Sequence, residues 1–185
     1  MAETKSICVY CGSKAGFDET YLREAGALGR AIARRGMGVV YGGGNVGLMG
    51  AVAESALAAG GRVVGVIPRS LEERELASGG LHELIVTDDM HERKAIMARR
   101  ADAFLALPGG YGTLEELFEA LAWSQLGFHA KPVGLLNTAG YFDPLVRFLD
   151  QAVERGFLRL KDRALLQVEA EAEPLVRDLA ARVGA

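Results

Sequence analysis

The sequence predicts an α/β fold: a Rossmann-like, doubly wound parallel sheet with helices on both faces, forming a single domain over residues 1–185. Two observations point there. Short runs rich in Val, Ile and Leu alternate with helix-length segments along the whole chain. Glycine makes up 24 of 185 residues, roughly twice the ordinary share, and nine of these fall in three loops that each follow a predicted strand. Half of the residues are hydrophobic and only 5 are proline, so the glycine excess belongs to a folded chain.

Residues 7–10 read as the first strand. Residues 18–35 read as a helix, because Leu22, Ala25, Gly29, Ile32 and Ala33 recur at the spacing of one helical face; Gly36 caps it. Residues 38–41 form the second strand. Residues 48–59 form a helix stopped by Gly60 and Gly61, and residues 62–67 a third strand closed by Pro68. The charged segment 69–80 reads as a surface excursion. A strand (83–87), a helix (89–100) and a strand (103–107) follow. A helix over 113–126 stops at Gly127, residues 132–136 are the sixth strand, and a helix over 141–155 is capped by Gly156. A last strand (164–168) and helix (173–182) complete the pattern. Right-handed crossovers wind these units into one sheet, and no linker or repeat divides them.

Composition excludes several classes. Lys plus Arg total 21 against 24 Asp plus Glu, a net charge of -3 with a pI near 5.7, so no basic field for nucleic acid is expected. The longest uncharged stretch, 36–53, is broken by seven glycines and reads as strand, loop and helix start, so no membrane partner is expected. The first residues show no apolar run behind a basic start, which predicts a cytoplasmic protein with reduced thiols. Cys8 and Cys11 form one C-x-x-C with no second pair to complete a zinc site, and no metal is expected. That pair does not open a helix, as a redox motif would. His91 and His129 stand alone.

The three loops hold Cys11-Gly12-Ser13, then Gly42-Gly43-Gly44-Asn45-Val46-Gly47-Leu48-Met49-Gly50, then Pro108-Gly109-Gly110-Tyr111-Gly112-Thr113. All belong at the carboxyl edge of one sheet, where open α/β folds bind ligands. Glycine lets backbone N–H groups approach an anion, and a helix start adds unpaired donors and partial positive charge; phosphate is the natural guest. No Gly-Lys-Ser/Thr follows, so this is not a Walker loop. The third strand ends in Pro68-Arg69 without an acidic residue, which disfavours a dinucleotide. Two readings stand for the nearby charges. Thr113 and Glu116 fit a capping box, and Arg93 and Lys94 fit a solvated helix face with local ion pairs; alternatively these side chains serve a site.

Residues 108–116 carry the pattern PGGxGTxxE, with Met90-His91-Glu92-Arg93-Lys94 ahead of it and the 42–50 loop further upstream. Together they resemble the LONELY GUY (LOG) family, whose members are often labelled lysine decarboxylases. The resemblance runs from about residue 7 to residue 157. It implies a homodimeric phosphoribohydrolase that splits a nucleoside 5′-monophosphate into free base and ribose 5-phosphate. N6-modified adenine nucleotides, whose bases are cytokinins, are the favoured substrates, and many bacterial members accept AMP. By position it implies that Arg93 and Glu116 are the catalytic pair. Gly109, Gly110, Tyr111, Gly112, Thr113, Leu114 and Glu115 match the substrate loop, with Lys94 and Glu75 as further contacts. Ser13, Gly43, Gly44 and Asn45 join them as binding candidates from the other two loops. Ala122 departs from the hydroxyl residue of related plant sequences. No cofactor is expected: pyridoxal phosphate needs a lysine, and of the five lysines only Lys94 is placed near the site. A non-catalytic nucleotide or molybdopterin carrier of the same fold is the alternative. Phe118, Trp123 and Phe128 read either as core or as a dimer interface.

Overall fold

The computed structural model describes residues 4–72 and 80–183. Strands and helices alternate as β1 (Ser6–Tyr10), α1 (Glu19–Arg34), β2 (Gly38–Tyr41), α2 (Gly47–Ala58), β3 (Val63–Pro68) and the short α3 (Arg69–Glu72). There follow β4 (Glu83–Thr87), α4 (Met90–Arg100), β5 (Ala103–Ala106), α5 (Tyr111–Gln125), β6 (Val133–Leu136) and a 3-10 turn (Thr138–Gly140). The chain ends with α6 (Asp143–Glu154), the short α7 (Leu160–Arg163), β7 (Leu166–Glu169) and α8 (Ala172–Val183). The seven strands form one sheet in the order β4-β3-β2-β1-β5-β6-β7, and every pairing is parallel.

Two apolar layers cover the sheet. Alternate residues of β1 serve opposite layers: Ile7 and Val9 pack with α1, α2 and α8, while Cys8 and Tyr10 pack with α4, α5 and α6. Cys11 packs on the side opposite Cys8, so the two thiols do not face each other. A parallel sheet covered on both faces gives strands with little polar content, and β1, β2, β3, β5 and β6 are buried along their whole length.

Most sequence expectations hold within a residue or two. Asp18 caps α1 by accepting from the Thr20 amide, and Asp89 caps α4 by accepting from the Glu92 amide at 2.8 Å. One expectation is overturned. Helix α5 begins at Tyr111 with Gly110 as its N-cap, so Thr113 lies inside the first turn and is buried. Thr113 and Glu116 therefore form no capping box, and Glu116 is free of that duty. The short α7 was not expected, and the last strand is β7, displaced from 164–168.

Candidate active site

The chain winds outward from β1 to β4 and then returns to place β5 on the other side of β1. This reversal leaves a crevice at the carboxyl edge. The loops after β1 and β5 meet there, with the Gly12 amide donating to the Pro108 carbonyl at 3.0 Å. Between them opens a cavity of about 510 Å³, floored by Arg93 and Glu116 and walled by the 12–16 and 108–113 segments.

The start of α5 offers unpaired backbone donors to the cavity. Its hydrogen-bond ladder opens with the Leu114 amide donating to the Gly110 carbonyl, so the amides just before it lie in the unpaired first turn. Gly109 is required by close approach: a Cβ there would stand 2.1 Å from Thr113 Oγ1 and 2.9 Å from the Gly12 nitrogen. At Gly110 and Gly112 a Cβ would meet no atom of the chain within 4 Å. Those two glycines keep space open over the helix start.

Arg93 reaches the floor from the first turns of α4. It is only 8% exposed. Its Nε donates to the Val66 carbonyl at 3.1 Å and Nη2 to the Gly42 carbonyl at 3.4 Å, so β3 and the start of the loop after β2 both hold the guanidinium. Nη1 stands 4.0 Å from Glu116 Oε1. Glu116 is 9% exposed on the inward face of α5. Burial pushes its carboxyl up to about 7, and the partly committed Arg93 opposes that shift without cancelling it. A carboxyl titrating near neutrality in a cavity is suited to proton transfer and to stabilising developing positive charge. Burial, with Glu116 adding to it, pushes the Cys8 and Cys11 thiols up, away from thiolate chemistry.

The other candidates divide. Ser13, Gly109, Gly110, Tyr111, Gly112, Thr113 and Glu115 line the cavity. Lys94 does not: it is largely buried, and its ammonium pairs with Glu115 and, at 3.1 Å, with Glu119. Burial alone would lower its pKa, but the two carboxylates outweigh burial and raise it. Leu114 packs against the core. From the 42–50 loop the cavity takes Leu48 and Met49 rather than Gly43, Gly44 or Asn45. Glu75 lies outside the described residues. Ala122 lines a separate shallow groove beside Phe118.

A family profile described as "possible lysine decarboxylase" matches residues 49–179. The cytokinin riboside 5′-monophosphate phosphoribohydrolase LOG7 of Arabidopsis thaliana is 50% identical over 183 residues, covering 97% of this chain and 84% of that protein. LOG5 of the same plant is 49% identical over 177 residues, covering 96% and 78%. This chain belongs to the LOG family. The rice enzyme LOG, from Oryza sativa subsp. japonica, is likewise 50% identical, covering 95% of this chain and 72% of that protein. Among solved structures, a molybdenum cofactor carrier protein from Chlamydomonas reinhardtii superposes with a TM-score of 0.77 at 27% identity, covering 99% of this chain and all of that one. A molybdenum cofactor binding protein from Rippkaea orientalis gives 0.74 at 26%, covering 99% of each.

Within this LOG-family cavity, sequence reasoning missed Lys14, Tyr21, Met90 and Tyr141. Lys14 corrects the expectation that Lys94 alone of the lysines stands near the site. Its signal was available, because it directly follows the Cys11-Gly12-Ser13 loop. Tyr21 and Tyr141 come from a helix and a turn with no motif, and nothing in their spacing marks them.

Proposed function

We propose that this chain hydrolyses the N-glycosidic bond of adenosine 5′-monophosphates, N6-modified ones included, to free base and ribose 5-phosphate. The observation that carries the reading is Glu116, raised to about 7 and facing Arg93 beside the anion-binding start of α5. The names of the LOG relatives support the same reaction. The first-turn amides of α5 bind the 5′-phosphate, which lays the ribose over the cavity floor. As the C1′–N9 bond breaks, its electron pair leaves with the base and positive charge builds on the ribose. Glu116 as carboxylate stabilises that charge and takes a proton from the water whose oxygen bonds to C1′; the departing base takes up a proton from solvent, and one water is consumed once Glu116 gives its proton back to solvent. Arg93, fixed by two carbonyls, orients Glu116 and hydrogen-bonds the sugar phosphate.

The decarboxylase label finds no support at Lys94. A Schiff base with pyridoxal phosphate needs a neutral amine, and Lys94 is held as an ammonium between two carboxylates outside the cavity. The likeness to carrier proteins favours a second reading, a nucleotide or molybdopterin carrier, which predicts binding without turnover. The decisive experiment incubates the protein with AMP and with isopentenyladenosine monophosphate and looks for free base by chromatography. Base should be released, and Glu116→Gln should abolish release by at least about 10³-fold while nucleotide binding persists. Binding without release by the unaltered protein would establish the carrier.

The same reading makes the enzyme a cytoplasmic homodimer. Free Cys8 and Cys11 suit a reducing compartment. Among the described residues no helix is long and apolar enough to cross a membrane. Phe118 and Phe128 are exposed on and after α5, with Leu126 between them in sequence, which supports a second copy docking there.

A further inference from the structure

The phosphate-binding loop has a weak point, the peptide between Gly109 and Gly110. With glycine on both sides, this peptide is the easiest of the loop to rotate. In a trans peptide the C=O of Gly109 and the N–H of Gly110 point oppositely. A flip would exchange a donor for an acceptor on the face that receives phosphate. The neighbouring carbonyls are held by the chain itself: Pro108 accepts from the Gly12 amide at 3.0 Å and Gly110 from the Leu114 amide at 3.1 Å. The Gly109 carbonyl is held by a side chain from elsewhere, the Tyr141 hydroxyl, which donates to it at 2.7 Å.

Tyr141 is placed with some care. It follows β6, the neighbour of β5, so it stands at the same sheet edge as the loop. Asn137, just before the turn, ties it to the residues just after, accepting from the Phe142 amide and donating to Asp143 Oδ1, each at 2.7 Å. The Asn137 amide itself donates to the Glu169 carbonyl of β7. Within the turn Ala139 sits at φ +53°, a left-handed conformation that costs a non-glycine residue energy and persists only where the surroundings impose it. The Tyr141 ring is set edge-on to Tyr21 (5.9 Å, 79°) and to Phe142 (4.8 Å, 86°). Both Tyr21 and Tyr141 line the cavity, beside Gly109.

We infer that Tyr141 is a positioning residue for substrate phosphate, acting through the Gly109 carbonyl to hold the 109–110 peptide in its anion-binding orientation. The inference rests on the proposed reaction for the identity of the ligand, a sugar 5-phosphate, but its test does not need turnover. Tyr141→Phe removes the hydroxyl and keeps the ring contacts. Ribose 5-phosphate binding is measured by calorimetry, AMP hydrolysis by steady-state kinetics, and folding by thermal unfolding.

Losing one hydrogen bond that orders the loop should weaken ribose 5-phosphate binding and raise KM for AMP by roughly three- to tenfold. kcat should stay within about twofold, because Glu116 and Arg93 are untouched, and Tm should be almost unchanged. Unaltered ribose 5-phosphate affinity in the variant overturns the inference. So does a parallel fall of kcat, affinity and Tm, which would mean that the hydroxyl only supports the fold. Tyr141→Leu, which also removes the ring, should bind ribose 5-phosphate no better than Tyr141→Phe; tighter binding would likewise overturn it. If the unaltered protein binds ribose 5-phosphate but releases no base, the proposed reaction fails while the Tyr141 comparison still decides this point.

Discussion

At Glu116, burial lifts the carboxyl from 4.5 to about 7 even with Arg93 at 4.0 Å. The folded state therefore holds the proton more tightly than the unfolded chain. Stability from this group is full below about pH 4.5 and is lost as pH rises through 7. Above pH 7 the native protein carries a buried charge at a cost on the order of 3 kcal/mol. Glu116→Gln should thus match the native protein in stability near pH 4 and exceed it at pH 8, while remaining inactive at both. Urea unfolding at pH 4, 6 and 8 reads this directly; a stability difference that does not change with pH would show that the carboxyl is not raised. In the proposed reaction the working form is the carboxylate, so kcat/KM should climb with pH to a plateau, with a midpoint near 7. The sequence offered Glu116 both as a capping-box residue and, through the family resemblance, as a catalytic one, but its burial and raised carboxyl were not legible there. The helix starts two residues earlier, with Gly110 as its N-cap, so Glu116 lies in the second turn on the buried side of α5.

Helices and strands are the scale at which the sequence was most informative, and also where Arg93 is fixed. The apolar runs and glycine stops placed β2 at its observed limits and α1, α2 and α4 within one residue at each end, because periodicity and capping are local signals. The helical turn α7 and the 3-10 turn before Tyr141 were missed because tertiary contacts shape them. The junction of β2 with its loop shows the same limit. Gly42 reads as one more glycine of a phosphate-type loop, yet a Cβ there would lie 2.1 Å from Arg93 Nη2 and 3.0 Å from Met49 Sδ. Its smallness makes room for the guanidinium. Gly42→Ala should push Arg93 off the Gly42 and Val66 carbonyls and away from Glu116. Displacements of about 1 Å at a catalytic group cost on the order of 10²-fold, and overpacking of this kind costs roughly 1–3 kcal/mol of stability. Steady-state hydrolysis of AMP beside thermal unfolding would check both; retained kcat/KM would mean that Arg93 does not depend on this contact.

The whole molecule follows from one reversal of strand order, which brings the loops after β1 and β5 together. The sequence implied it through alternating strands and helices, but the meeting of Gly12 with Pro108 depends on the pairing of β1 with β5, strands far apart in the chain. What a single sequence leaves open is the outer face. Phe118, Trp123 and Phe128 read as core more readily than as interface, and helical spacing alone does not say which stripe of a helix meets the sheet. The structure separates them: Leu117 and Ala120 face the core, Trp123 is half-buried, Phe118 is 37% exposed and Phe128 75%. Phe118 also borders a groove of about 110 Å³ with Leu121 and Leu149. Apolar surface gathered in this way on one side marks an association site more often than scattered exposed residues do. Since α5 carries Glu116 on one side and Phe118 on another, docking of a second copy there would brace the helix that holds the Glu116 carboxyl. Light scattering behind gel filtration should give about twice the 19.7 kDa chain mass. The melting temperature should rise with protein concentration, as linked folding and association require. Replacing Phe118 and Phe128 together by Asp should give a monomer whose melting is independent of concentration. A native mass of one chain at micromolar concentration would assign this apolar face to some other partner and leave the cavity complete within a single copy.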